Sequence, residues 1–176
     1  MEIKHLRLPL TENDIASLRA GDIVYLSGTI YTARDAAHKR IADALQKGDL
    51  PIPLDNACIY YVGPTPARPN EVIGSAGPTS SYRMDPYTRP LLEKGLKVMI
   101  GKGPRSNDYR EALKQYHALY LTCIGGAAVS ISQTIKKCDL VCYPDLGPEA
   151  IYRLEVEDFF TIVTYDIYGG DLYQTK

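Results

Sequence analysis

Residues 22–48, DIVYLSGTIYTARDAAHKRIADALQKG, decide the fold. The first nine are rich in β-branched and aromatic residues, Ile23, Val24, Tyr25, Thr29 and Ile30, which predicts a strand over 22–30. Thr32 with Asp35 three residues later resembles a capping box, so a helix is expected to open there. Ala33, Ala37, Ile41, Ala44 and Leu45 recur at helical spacing on one face. Arg40, Asp43 and Lys47 fall elsewhere, and Gly48 is placed to stop the helix.

The same alternation runs outward along the chain. Residues 57–62, ACIYYV, form a short apolar run of the kind found in buried strands. Residues 63–83 hold too much Gly, Pro, Ser and Thr for regular structure apart from a brief 71–73, and long polar loops of compact domains tend to carry function. Asp85 and Pro86 read as the N-cap and first residue of a helix toward Lys94, with Gly95 as its stop and Pro90 shortening or bending it. A strand over 97–100, a turn and an amphipathic helix over 106–116, with Tyr109, Leu113 and Tyr116 on one side, come next. Residues 118–124, 127–137, 140–143 and 161–167 read as strand, helix, strand and strand. This order predicts a single mixed α/β layer domain over residues 1–176, with glycine-rich turns gathered at one end of the strands, where a ligand would sit.

Composition narrows the function classes. A chain of 176 residues, 45% hydrophobic and 23% charged, is an ordinary globular domain, able to bury roughly 70% of its unfolded surface without metal or disulfide staples. A net charge of −1 lacks the electrostatic footprint of a nucleic-acid or membrane-surface binder. No apolar stretch reaches the length of a membrane span, and MEIKHLRLPLTEND has neither an apolar core nor a cleavage site of a secretory signal, so a cytoplasmic protein is expected. Cys58, Cys123, Cys138 and Cys142 lie in apolar surroundings without a CxxC pair, which disfavours a disulfide framework or structural zinc and leaves buried free thiols.

Three glycine-rich turns follow expected strands: 74–79 (GSAGPT), 101–103 (GKG) and Gly125-Gly126. Backbone N–H groups in such turns can cradle a carboxylate or phosphate. P-loop spacing and GxGxxG are both absent, which disfavours a nucleotide. Arg34, Arg83, Lys102 and Arg105 lie in or beside these loops, and guanidinium forks with a lysine could hold a dicarboxylate at both ends. Taken singly, a surface arginine is ordinarily only solvated. Thr79, Ser80 and Ser81 set three hydroxyls beside Arg83. Ser80 and Ser81 read as turn caps, and His38 as a helix-surface histidine. No GxSxG elbow or reactive Cys/His context supports a triad.

Five segments carry a resemblance: GDIVYLSGTIYTARDAAHKRI (21–41), IYYVGPTPARPNEVIGSAGPTSSYRMDPYT (59–88), LLEKGLKVMIGKGPRS (91–106), CIGGAAVSISQTIKKCDLV (123–141) and DLGPEAIYRLEVEDF (145–159). In this order, from about Leu10 to Tyr173, the chain resembles the β subunit of the iron–sulfur (class I) fumarate hydratase and L(+)-tartrate dehydratase family. The same sequence type forms the carboxy-terminal domain of single-chain members. The resemblance implies a swivelling β/β/α domain and a hydro-lyase that adds or removes water across a four-carbon dicarboxylate, fumarate and malate first, tartrate and oxaloacetate second. It further implies a [4Fe–4S] cluster held by a partner α subunit, a β chain inactive without that partner, and a hetero-oligomer with further dimerisation. Arg34, Arg83 and Lys102 match the family's substrate-carboxylate contacts, and Thr79 matches its proton-transfer hydroxyl. No metal ligand is expected in this chain. Tyr82 departs from the family pattern, which usually has a small residue there. The alternative is a non-catalytic anion-binding or regulatory module that retains the fold.

Overall fold

The computed structural model describes residues 1–123 and 128–174. Its strands are β1 (Ile3–Arg7), β2 (Ile23–Thr32), β3 (Cys58–Tyr60), β4 (Val98–Gly101), β5 (Leu119–Thr122), β6 (Ile135–Cys142) and β7 (Ile151–Tyr165). Its helices are α1 (Glu12–Ser17), α2 (Asp35–Lys47), α3 (Asp85–Glu93), α4 (Asn107–Tyr116) and α5 (Ala128–Gln133). The β1–β2, β2–β3, β3–β4 and β4–β5 pairs are parallel. The long β7 runs antiparallel to β2, β5 and β6. Because β7 touches both β2 and β5, the pairings close a ring, β2–β3–β4–β5–β7, with β1 and β6 outside it.

Side-chain alternation along the parallel strands feeds two cores. Cys58, Tyr60, Val98, Ile100, Leu119 and Leu121 point into the ring and meet Leu154, Phe159 and Val163 of β7. Ile59, Met99 and Tyr120 point outward and pack under Ala37 and Ile41 of α2, Leu91 and Leu92 of α3, and Leu113 of α4. The result is an α/β domain with a mixed sheet and flanking helices, as expected. Both sides of β3 and β4 are therefore buried, which is why these strands read as continuous apolar runs. Within β2 the phase shifts at a bulge between Leu26 and Gly28, where Gly28 has φ of 128° and a side chain would press on Leu8 at 3.0 Å.

Several expectations are corrected. Thr32 does not cap α2: it ends β2, fully buried, donating to the Ala150 carbonyl (3.3 Å) and accepting from the Tyr152 N–H (3.0 Å). Arg34 occupies the N-cap position with extended backbone and no side-chain cap bond, while Gly48 closes the helix in the left-handed conformation as expected. Met84, not Asp85, precedes α3, because a 3₁₀ turn over Ser81–Met84 leads into it. The helix expected over 127–137 ends at Gln133; β6 takes over, its ladder to β7 outweighing local helical spacing. The strand expected over 161–167 begins at Ile151. Cys58 and Cys123 are buried, whereas Cys138 and Cys142 on the edge strand β6 are half-buried. The Gly125-Gly126 turn lies outside the described residues.

Candidate functional site

Three loops leave the carboxyl ends of β2, β3 and β4 on the same side of the sheet, the end at which α/β sheets ordinarily hold ligands. The 63–80 loop returns to the sheet, with the Thr79 N–H donating to the Tyr61 carbonyl at 2.8 Å. Ser80 then pairs with Lys102 as one parallel bridge past the end of β4. The buried Ser81 bonds Lys102 in both directions, its N–H donating to the Lys102 carbonyl and its hydroxyl accepting the Lys102 N–H, each at 3.0 Å. Ser81 is thus a strut between loops and not the local turn cap its sequence suggested. Gly101 permits this approach: a Cβ there would lie 1.8 Å from the Ser81 hydroxyl and 2.8 Å from the Tyr61 ring.

Arg34 enters from the end of β2. Its side chain lies along Gly63, where a Cβ would sit 3.1 Å from Cδ of Arg34, so glycine is needed for the close approach. The buried Nε of Arg34 has no hydrogen-bond partner among the described residues; Asp35 and Glu149 carboxylates lie 4.0 and 3.9 Å from it. Arg83 reaches the same place from the 3₁₀ turn, its Nε donating to Asp35 at 2.8 Å. Lys102 is exposed and has no carboxylate partner among the described residues. The Thr79 hydroxyl likewise bonds no described residue. These contacts bring the three stretches of chain that carry Arg34, Thr79 with Arg83, and Lys102 together at one rim of the sheet. Tyr82, next to Arg83 in the 3₁₀ turn, is 61% exposed.

Arg105 is a correction. Its guanidinium is completely buried, paired with Asp85 and set 3.5 Å over the Tyr109 ring, so it braces α3 against the start of α4 and does not reach the rim. Asp85 also accepts the Ser106 N–H at 2.8 Å.

Sequence reasoning missed three more residues. Glu149, in the 3₁₀ turn Pro144–Glu149, accepts the Ala36 N–H of the first turn of α2 at 3.5 Å, from 113 residues away. His38 is wholly buried, contrary to the surface reading. Its Nδ1 lies 2.9 Å from the Arg34 carbonyl, and since a carbonyl only accepts, the proton is on Nδ1. Burial pushes the His38 pKa down to about 4, against the opposing pull of that hydrogen bond. Asp35, read as a helix cap, is the counter-ion of Arg83. A first-turn carboxylate directly after a rim arginine was the available signal.

Fold and rim together define a class: an α/β domain that presents cations and a hydroxyl from loops at the carboxyl ends of parallel strands. The fumarase C-terminus family model matches residues 1–176, and the chain belongs to that family. It is 37% identical over 172 residues to a Methanocaldococcus jannaschii protein named as the beta subunit of L(+)-tartrate dehydratase, covering 94% of this chain and 88% of that one. It is 40% identical over 152 residues to the aerobic class I fumarate hydratase of Salmonella typhimurium, covering 85% of this chain. A Geobacillus stearothermophilus protein named as class I fumarate hydratase is 37% identical over 174 residues. The chain spans about a third or less of these two longer relatives, 33% and 26%.

The cysteines do not fit an iron–sulfur cluster. Cys58 lies in β3, Cys123 follows β5, and Cys138 and Cys142 lie in β6. Burial pushes the Cys58 thiol up and that of Cys123 up to about 11, as expected of thiols in an apolar core. Among the described residues no group of three His, Cys, Asp or Glu side chains can hold a metal ion. Nor is any helix of the described residues long and apolar enough to cross a membrane.

Proposed function

We propose that this chain is the β subunit of an iron–sulfur-dependent hydro-lyase acting on a four-carbon dicarboxylate, fumarate and malate first, and that it supplies the carboxylate-binding half of a site shared with an α subunit. What supports this reading is that the stretches carrying Arg34, Arg83, Lys102 and Thr79 meet: Arg83 bonds Asp35 beside Arg34, and Ser81, two residues from Thr79, bonds the Lys102 backbone. Arg34 and Arg83 offer guanidinium forks that match carboxylate geometry, and Lys102 adds a point charge. The Thr79 hydroxyl moves the proton at the carbon beside a carboxylate, a role that requires adjacent cations and the substrate to lower its effective pKa. A rim exposed on one chain is complementary to a second chain that closes it and excludes water. The [4Fe–4S] cluster is assigned to that α subunit. The fold is taken to be the swivelling β/β/α type that the resemblance implies.

The test is to co-express the chain with its α partner, purify the pair anaerobically, and assay malate and tartrate. Turnover by the pair, with the isolated β chain colourless and inactive, is the expected result. An iron–sulfur chromophore in the isolated chain, or an assembled pair inactive toward both substrates, overturns the reading.

A further inference from the structure

We propose that Asp35 is a positioning residue of this site, holding the Arg83 guanidinium so that its end-on edge faces a substrate carboxylate; the inference rests on the functional reading above. Asp35 opens α2, and its carboxylate accepts Arg83 Nε at 2.8 Å, with Nη2 at 3.5 Å from its second oxygen. A guanidinium carries five N–H donors on two forks. Asp35 occupies the Nε side. The edge formed by Nη1 and the remaining Nη2 hydrogen stays open to a second carboxylate. Arg83 alone would be a flexible side chain on a 3₁₀ turn, 38% exposed, with many rotamers that miss the rim. Tied to the first residue of a packed helix, it shares a frame with Arg34, which is the residue before Asp35. One carboxylate therefore sets the spacing of two arginines that lie 49 positions apart in sequence.

The fold does not need this pair for stability. Both partners are more than a third exposed, and such surface ion pairs contribute little. Glu149 rather than Asp35 takes the Ala36 N–H at the helix start. A structural role and a positioning role therefore make different forecasts.

The experiment uses the assembled α/β pair with malate as the probe. Asp35→Asn should raise KM for malate roughly tenfold with kcat changed less than about threefold and melting temperature nearly unmoved, the signature of lost ground-state binding. Asp35→Glu should restore part of the loss. In an Arg83→Lys background Asp35→Asn should add little, because residues acting through one contact are non-additive. The Arg83 Nε–H resonance of the isolated chain should be protected from exchange, and an Asp35→Ala variant, which leaves no acceptor, should lose that protection. Unchanged or lower KM in Asp35→Asn, or losses that add fully to those of Arg83→Lys, overturn the positioning role while leaving the hydro-lyase reading in place. An unprotected Nε–H overturns the contact itself. Wild-type pairs inactive on malate and tartrate overturn the hydro-lyase reading, and the positioning role with it.

Discussion

Ser81 and Lys102 hold each other by two hydrogen bonds of opposite direction, both 3.0 Å long, that join the loop carrying Thr79 to the turn after β4. Two loops that approach from different strands are thereby fixed at one separation, and the rim has its width from this joint.

Gly101→Ala should break that joint. The new methyl would overlap the Ser81 hydroxyl and the Tyr61 ring, both in buried surroundings where neighbours cannot move away cheaply. A stability loss of about 1–3 kcal/mol by urea denaturation is expected, together with a fall in kcat/KM of the assembled pair. Ser81→Ala, which adds no bulk, should lower activity with a stability loss of about 1–3 kcal/mol from the unpaired Lys102 N–H. Wild-type kinetics in both variants would show that the joint does not shape the site.

Thr79→Val keeps shape and removes the hydroxyl. With a proton-transfer role, kcat of the assembled pair should fall by roughly 10² to 10⁴ while substrate binding changes less. Thr79→Ser should retain substantial activity. The melting temperature should hold in both, since the hydroxyl bonds no described residue and the Thr79 N–H to Tyr61 bond is untouched. A Val variant with normal kcat moves the search for the proton-transfer group to the partner chain.

Asp85→Ala should be far more damaging to stability than any change at Asp35. Arg105 is 0% exposed and Asp85 14%, so removing the carboxylate strands a buried guanidinium and takes the acceptor from the Ser106 N–H. Breaking a buried pair in this way costs about 3–5 kcal/mol. Chemical denaturation of the isolated chain measures it, and a loss under about 1 kcal/mol would mean that water reaches Arg105.

His38 makes stability fall on the acid side. Unfolded, the imidazole takes up a proton below its ordinary pKa of 6.5; folded, it resists protonation until about 4. Between those values the unfolded chain binds the extra proton, so stability is full above pH 6.5 and declines as pH drops toward 4, by roughly 3 kcal/mol across the window. His38→Asn, which keeps a donor for the Arg34 carbonyl and does not titrate, should flatten that part of the profile. Urea midpoints at pH 7, 6 and 5 for both proteins give the comparison; parallel profiles would assign the acid sensitivity to other groups.

The sequence by itself determined the alternation of strands and helices, the stop at Gly48 and the loop-rich stretch that carries Thr79 and Arg83. These depend on residue spacing and turn chemistry, which act over a few positions. It also held the cations of the rim and the family resemblance, because segment order and identity are one-dimensional information. Only the tertiary structure decided that Ile151 already belongs to β7, whose ladders to β2, β5 and β6 close the ring. Only it decided that His38 is interior, that Arg105 braces helices while Arg83 reaches the rim, and that Asp35 meets an arginine 48 residues away. The two arginines are alike in local sequence terms, each a cation near a glycine-rich loop and a helix start. What separates them is which strands are neighbours: Arg105 follows β4 into the space between α3 and α4, and Arg83 leaves the loop after β3 beside the start of α2. Burial and pairing of this kind come from contacts between distant stretches of chain, to which the local spacing of residues is blind.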